Sequence, residues 1–537
     1  MKHVLSLVLL CIVNSAVAQK KILDHSDFDI WNRIQRQTMT SDGNFIMYSL
    51  QKGEKDSQLK IKDKNANLIF EHERSERGQF TYDSKFAVFI IKEWKDSILE
   101  MKRRKVKKNK MPMDTLGIYN LKNSALEKFA HIKSYKIPEK WSGFVAYTYD
   151  LAKKNAPKNL RKEKDSMLSD TSKTKKKGIK KASSKTGFPL VVKNLITASA
   201  DTIYFVTNYV FSKESKKIAY TTTGSDINSK PGVYILNLET MQKKHIFSSH
   251  DKTKYYQLNF SDSGKNLGFV TDADTTKAYI RPNRLYTWNT TLPAAELVVD
   301  NTTTPIGYRV SSDGNITFSK DDTKLYFGLA LPPITKDTLL LEEEIVNVEV
   351  WTYDEPRLYT VQEKQVKNDK KKSFQTVYHL KNKKLIQIAT KEYPNASLGD
   401  QGNADYALVN TTEPYALEAQ WTGQFSANDL AIVNINDGSL KVAITKAPSS
   451  VRFSPKGKYA YGYNQVDSTW FTYNIGSGKY MELTKEKNFY NELNDSPNHP
   501  RSYGSAGWTK DDSSLILYDR YDIWEFNPDN GTGTKLT

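Results

Sequence analysis

Apolar and polar residues alternate with period two along most of the chain, and clusters of Asp, Asn, Ser, Gly and Pro interrupt the alternation at intervals. This pattern predicts half-buried strands joined by tight turns. The stretch WTKDDSSLILYDRYDIWEFNPDNG, from Trp508, is the fullest example: a polar turn, a strand carrying Leu515 and Leu517, then a second aromatic strand through Trp524 and Phe526. The same template recurs in register from Met39, Phe80, Phe211, Phe260, Phe318 and Phe453. The second residue of every copy is a hydroxyl: Thr40, Thr81, Ser212, Ser261, Ser319, Ser454 and Thr509. Such a side chain can bond the nearby backbone and hold a tight turn. Seven residues after each lead comes an apolar residue (Ile46, Ala87, Ile218, Leu267, Leu325, Ala460, Leu515), and a large one follows two further on, except at Gly462. Each strand should therefore have one apolar face.

Second-strand signals recur between these copies, starting at Leu116, Gly232, Arg284, Val348 and Thr469. Leads lie 41 residues apart from Met39 to Phe80, 49 from Phe211 to Phe260, 58 from Phe260 to Phe318 and 55 from Phe453 to Trp508. That spacing suits four-stranded blades with long loops. The two wide gaps, Phe80 to Phe211 and Phe318 to Phe453, have room for degenerate blades around Phe144 and around Asp405 to Val409. Convincing helical patterns are nearly absent. The expected fold is an all-β propeller of about seven to nine four-stranded blades spanning residues 19–537. Its last part is expected to be incomplete, with Trp508 to Phe526 forming a single hairpin whose edges are left open at Thr537.

The first residues change the picture of where the protein works. Lys2 and His3, an apolar run from Val4 to Val13 and Ala16-Val17-Ala18 before Gln19 predict a signal peptide over residues 1–18, cleaved between Ala18 and Gln19. The run is too short to span a membrane as a helix. The only cysteine is Cys11, so the mature chain would carry no thiol, which excludes disulfides and cysteine chemistry and suits a periplasmic or secreted bacterial envelope protein.

A formal net charge of +18 would suggest a nucleic-acid partner, but the charge is local. Residues 101–110 (MKRRKVKKNK) carry seven bases and no acid, and residues 153–185 carry thirteen bases and three acids. The second stretch has no periodicity able to bury a core, so residues 153–187 are expected to be a disordered insertion between strands, cut first by trypsin. A solvated loop is its simplest reading; the alternative is a patch for anionic lipid headgroups, polysaccharide or nucleic acid, but no aromatic residues interleave the lysines as single-strand binding would need. No nucleic-acid partner and no transmembrane segment are therefore expected.

Searching for catalytic patterns yields none. The nearest approach to Gly-x-Ser-x-Gly is Gly504-Ser505-Ala506-Gly507, which has the wrong spacing for a nucleophile elbow. Gly476-Ser477-Gly478-Lys479 is a hairpin turn and lacks the first glycine of a P-loop. His245 and His250 are too loose a pair for zinc. Asp321-Asp322 and Asp511-Asp512 occupy the repeat's turn, and turn chemistry accounts for them. Asp519-Arg520-Tyr521-Asp522 is the most tempting cluster, with Asp522 read as structural. No catalytic, cofactor-binding or metal-binding residue is assigned, and no cofactor is implied.

Copies such as FSPKGKYAYGYN resemble Tol-B-type propeller repeats. The signal peptide, the Lys-rich insertion, VEVWTYDEPRL (residues 348–358) and SPNHPRSYGSAGWTKDDSSLILYDRYDIWEFNP (residues 496–528) together resemble the N-terminal propeller of exported serine peptidases of the prolyl oligopeptidase and dipeptidyl peptidase kind. The resemblance implies an α/β-hydrolase domain with a Ser, Asp, His triad following the propeller, and this chain is expected to stop before it. It implies a substrate-gating role that admits short peptides, with a peptide substrate and the missing hydrolase domain as partners. The alternative is a stand-alone Tol-B-like envelope propeller that binds a protein or peptide. A glycan-binding propeller is a third reading, weakened because the aromatics fall at repeat positions, where core packing accounts for them.

Overall fold

The alternating segments fold as antiparallel sheets, most of them four-stranded meanders, in the order of the repeats. The structure, a computed structural model, describes residues 23–150, 182–224, 229–276, 278–335, 339–346, 348, 351–423, 426–447 and 451–537. The signal-peptide reading with Ala18 and Gln19, and residues 153–181 of the basic insertion, lie outside the described residues. The protein has the all-β propeller fold expected. Seven sheets are present among the described residues, and one of them is a ten-stranded path that runs through three successive blades. In that path Leu126–Lys136 and Ala200–Phe211 each serve two blades, which brings the total to nine blades.

The chain forms two compact units, one holding residues up to 203 apart from 184–187, the other holding 184–187 and 204–537. The first contains three blades and the second six. The degenerate third and seventh blades are built on Phe144–Tyr149 and Tyr406–Thr411, in the two wide gaps between leads. The last repeat departs from expectation. Ser505–Trp508 precedes and Gly533–Lys535 follows the central pair Leu515–Tyr518 and Ile523–Phe526, so it is a four-stranded sheet and not a lone hairpin. The turn after Phe526, where Gly531 N–H bonds the Asn527 carbonyl, sends the chain back as the fourth strand.

Hydrophobic cores lie between neighbouring blades. Met47, Leu59 and Ile61 of the first blade meet Ala87, Phe89 and Ile91 of the second; the other face of that second strand, Phe86, Val88 and Ile90, packs on Val145 and Tyr147 of the third. Phe86–Ile91 is therefore buried at all six positions. A sheet covered on both faces needs apolar residues at successive positions, so one apolar face understates the pattern. The first copy is the exception: Ile46 is 43% exposed while Met47 is buried, because no blade of its unit precedes it. The second unit repeats the scheme, for example with Leu267 and Phe269 against Ala219 and Val233.

The repeated hydroxyl does what the pattern suggested. Thr40, Thr81, Ser261, Ser319, Ser454 and Thr509 each accept the N–H five residues ahead, at 2.9–3.1 Å. Position four of the turn takes a left-handed backbone, as Gly43 or Gly457 without strain but also as Ser84, Asp322 and Asp512. Those three polar residues have a second task, because each bonds the turn of the preceding blade. The Asp512 carboxylate, only 2% exposed, accepts the Ser454 hydroxyl (2.6 Å) and the N–H groups of Lys456 and Lys458. The acidic pairs are thus latches between blades as well as turn residues.

One strand signal is displaced. Trp351 and the turn at Tyr353–Asp354 lie outside any strand, 68% and 86% exposed at Trp351 and Tyr353, and the true partner of Lys324–Ala330 is Phe374–His379. Residues 331–373 form an insertion that carries helix α2 (Tyr359–Asp369), and α1 (Lys95–Arg103) and α3 (Ala416–Thr422) sit in similar insertions. None of the three helices has a side-chain N-cap hydrogen bond, which is why no start signal marks them in the sequence.

Candidate functional site

Antiparallel meanders place the links between first and second strands, and between third and fourth, at one end of a blade; links between second and third strands lie at the other end, with the connectors to the next blade. The first set is short and carries the hydroxyl turns. Every long insertion within a blade joins second and third strands: residues 92–113, 150–187, 273–283, 331–373 and 412–427. Loops held by a rigid scaffold are where binding groups concentrate. In the second unit this end holds a cleft of about 850 Å³.

Three segments build the cleft. Helix α3, entered through Pro414 and Tyr415 and ended at left-handed Gly423, presents Glu418, Ala419 and Thr422. The turn between Tyr459–Asn464 and Thr469–Asn474 presents Gln465 and Asp467. The connector from the eighth to the ninth blade presents Ser496, Asn498, His499 and Arg501. That connector carries no regular element beyond a bridge between Tyr490 and Ser502, yet it is anchored: Phe489 is fully buried, 5.4 Å edge-on to Phe526, and Asn491 N–H bonds the Arg501 carbonyl at 2.7 Å. Asn494 Nδ2 donates to the Ser496 and Asn498 carbonyls, and Gln465 Nε2 to the His499 carbonyl.

Charges of both signs line the cleft. Lys446 Nζ lies 3.5 Å from Glu418 and 5.8 Å from the Tyr415 ring, while the Tyr415 hydroxyl donates to Asp429 at 2.7 Å. That bond to a carboxylate raises the Tyr415 phenol above its ordinary value, with burial adding to it. Ser496 and His499 both face the cleft, and among the described residues no hydrogen bond joins them. The cleft thus offers hydrogen-bond donors and acceptors together with charges of both signs.

Of the two stretches singled out in the sequence, only residues 496–501 of the second line the cleft, and the first touches α3 at Gln420, which does not line it. Leu358 N–H, at the end of residues 348–358, donates to Gln420 Oε1 of α3 at 2.8 Å, and the connector from residues 496–528 forms the facing wall. Asp519 is held below its ordinary value: burial opposes the charge, but the N–H groups of Tyr521 and Asp522 and the Trp524 indole outweigh it. It organises the turn. Asp522 pairs with Lys535 of the fourth strand at 2.8 Å, a structural role, and Arg520 reaches Glu492 at 3.2 Å. Ser505 donates to the Ile516 carbonyl and accepts Gly507 N–H, so its hydroxyl is spent inside a blade. Gly476–Lys479 is a hairpin turn fastened by Asn474. His245 stacks on Tyr234 at 4.3 Å, and His250 bonds the Ala273 carbonyl. Among the described residues no group of three or more His, Cys, Asp or Glu is arranged to hold a metal, and no helix is long and apolar enough to cross a membrane. Sequence reasoning missed α3 and the cleft, since neither leaves a period or a cap.

No protein-family model and no curated protein matches the chain. Solved structures do: a eukaryotic initiation factor (10% identity, TM-score 0.41, 84% of this chain and 89% of that one); the β-propeller domain of the Trilobed protease from Pyrococcus furiosus (11%, 0.31, 78% and 96%); and a prolyl endopeptidase (8%, 0.33, 94% and 56%). The chain spans about half the length of that endopeptidase. Similarity this distant carries nothing about activity.

Proposed function

We propose that the chain is the substrate-gating propeller of an exported serine peptidase of the prolyl oligopeptidase kind, which admits short peptides and performs no hydrolysis by itself. The observation that supports this is the cleft itself, walled by α3 and by the connector from residues 496–528, with residues 348–358 tied to α3 through the Leu358–Gln420 hydrogen bond. A blade scaffold would not need those segments, and the cleft is polar, open and sized for a few residues of peptide. Glu418 and Asp467 would face the positive groups of the ligand, and Arg501 the negative ones. Periplasmic or secreted location follows from the signal-peptide reading and belongs to the proposal.

The test is binding. Labelled tetra- to hexapeptides should bind the mature chain, and Arg501→Ala with Glu418→Gln should weaken binding at least tenfold, about 1.4 kcal/mol or more. Chromogenic prolyl and alanyl peptides should stay intact, and a fluorophosphonate probe should label no serine. Equal binding by the variant, or a labelled serine, would refute the reading.

A second reading, a stand-alone Tol-B-like envelope propeller that docks a folded protein, is favoured by the exposed apolar side chains of the 331–373 insertion and α3, among them Ile334, Trp351, Tyr353 and Trp421. Capture of a folded envelope protein that short peptides fail to displace would support it over the first.

A further inference from the structure

Seven bases stand at one corner of the first unit. They belong to α1 and the turns that follow it, inside the insertion between the second and third strands of the second blade: Lys102, Arg103, Arg104, Lys105, Lys107, Lys108 and Lys110. All seven are exposed. Only Arg104 has an ion-pair partner, Glu100 on the preceding turn; the other six have none among the described residues. Bases at the end of a helix favour its macrodipole, but that effect is confined to the last turn. Lys105, Lys107, Lys108 and Lys110 lie beyond α1, where their mutual repulsion is uncompensated.

One apolar side chain shares this surface. Leu99 is 37% exposed and sits three and four residues before Lys102 and Arg103, on the same side of the helix. Trp94, at the opposite end of α1, is covered by the Arg74 guanidinium 4.6 Å over its ring and takes no part in this surface. No residue of α1 is fully buried, so the helix rests on the blade without being absorbed into it. Unpaired cations beside an exposed apolar side chain, with no aromatic residue interleaved among the bases, match a lipid headgroup layer better than a nucleic-acid strand, which asks for stacking platforms.

We propose that α1 and residues 104–110 form a peripheral contact for an anionic phospholipid surface, with the cations over the phosphates and Leu99 at the headgroup boundary. This goes beyond peptide gating: it would hold the propeller against a membrane it does not cross.

The experiment is co-sedimentation of the full chain with phosphatidylcholine vesicles containing about a third phosphatidylglycerol, against pure phosphatidylcholine, at low and high salt. Binding to the anionic vesicles alone, abolished by salt, is expected. Each neutralised base should weaken it about fivefold, so the variant Lys105→Gln, Lys107→Gln, Lys108→Gln, Lys110→Gln should lose well over tenfold. Leu99→Asn, which leaves the charge intact, should weaken it more modestly. Wild-type binding by the fourfold variant would overturn the proposal, as would equal binding to neutral vesicles, or binding to single-stranded DNA with none to vesicles. These residues are exposed, so the variants should fold; an unchanged circular dichroism spectrum checks that.

Discussion

Removing the guanidinium of Arg281 should destabilise the second unit more than removing its partner along with it. Asp272 ends the second strand of the fifth blade with its side chain 1% exposed, and Arg281 returns from the loop beyond to grip both carboxylate oxygens, Nε and Nη2 each at 2.8 Å. The same guanidinium donates to the Asp274 and Thr276 carbonyls and pairs with the Asp274 carboxylate at 2.8 Å. Hydrogen bonding by Asp272 raises the guanidinium above its ordinary value. In Arg281→Met the buried carboxylate keeps one N–H, that of Asp274 at 3.2 Å, and Lys254 at 3.9 Å. Breaking a buried pair by removing one partner costs about 3–5 kcal/mol; Lys254 and the partial exposure of Arg281 reduce this to about 2–4. Asp272→Asn should cost about 1–3 kcal/mol. The double variant should cost clearly less than the two together, because once the charge is gone nothing is stranded, and the coupling should reach about 2 kcal/mol. Urea unfolding followed by tryptophan fluorescence on all four proteins measures it. An Arg281→Met protein within about 0.5 kcal/mol of wild type, or strictly additive variants, would refute the argument.

Three further outcomes follow from the blades. Asp512→Ala strands the Ser454 hydroxyl and two backbone N–H groups, and should lower stability by about 2–4 kcal/mol, seen as an earlier urea transition, while Asp511→Ala should be nearly silent. Gly328→Ala places a Cβ 2.7 Å from the Gly314 Cα, backbone against backbone, so the variant should express poorly or melt well below wild type; Gly43→Ala, which meets nothing within 4 Å, should show only the small cost of its left-handed φ. Asp42 is held at about 2, chiefly by the Thr40 hydroxyl and then by Asn44. Its folded value is depressed, so its contribution to stability is present above the unfolded value near about 4 and disappears as pH falls to about 2. Comparing the acid limb of the stability curve with that of Asp42→Asn should show the two converging over that window and running parallel above it.

The periodic part of this fold was legible because a blade is a local object. Alternation, a hydroxyl at position two and a large apolar residue nine positions after the lead all act within one hairpin, so Thr509 and Leu517 announce their roles without any neighbour. The same locality allowed Phe144–Tyr149 and Tyr406–Thr411 to be placed in blades that lack the motif. Residues 348–354 misled for the complementary reason. Their β-branched and aromatic run has strand propensity, but a strand exists only where a partner edge accepts it, and Phe374–His379 took the edge of Lys324–Ala330.

The cleft was not legible, because its walls come from three segments that share no period and are brought together only by the stacking of blades seven to nine. The resemblance drew notice to residues 348–358 and 496–528, and only the tertiary structure could show the first bonded to α3 and the second lining the cleft opposite it. The dual use of Asp512 was hidden for the same reason. In sequence it is one more turn residue; in the fold the hydroxyl of the preceding blade's turn is 58 positions away in the chain and 2.6 Å away in space. Amino-acid order by itself determined the repeated strands and turns and bounded the number of blades at about seven to nine, since these are set by interactions within about ten residues. Which loops converge, which charges are buried and which stay unpaired was decided by packing between blades, since burial depends on neighbours that local sequence does not name.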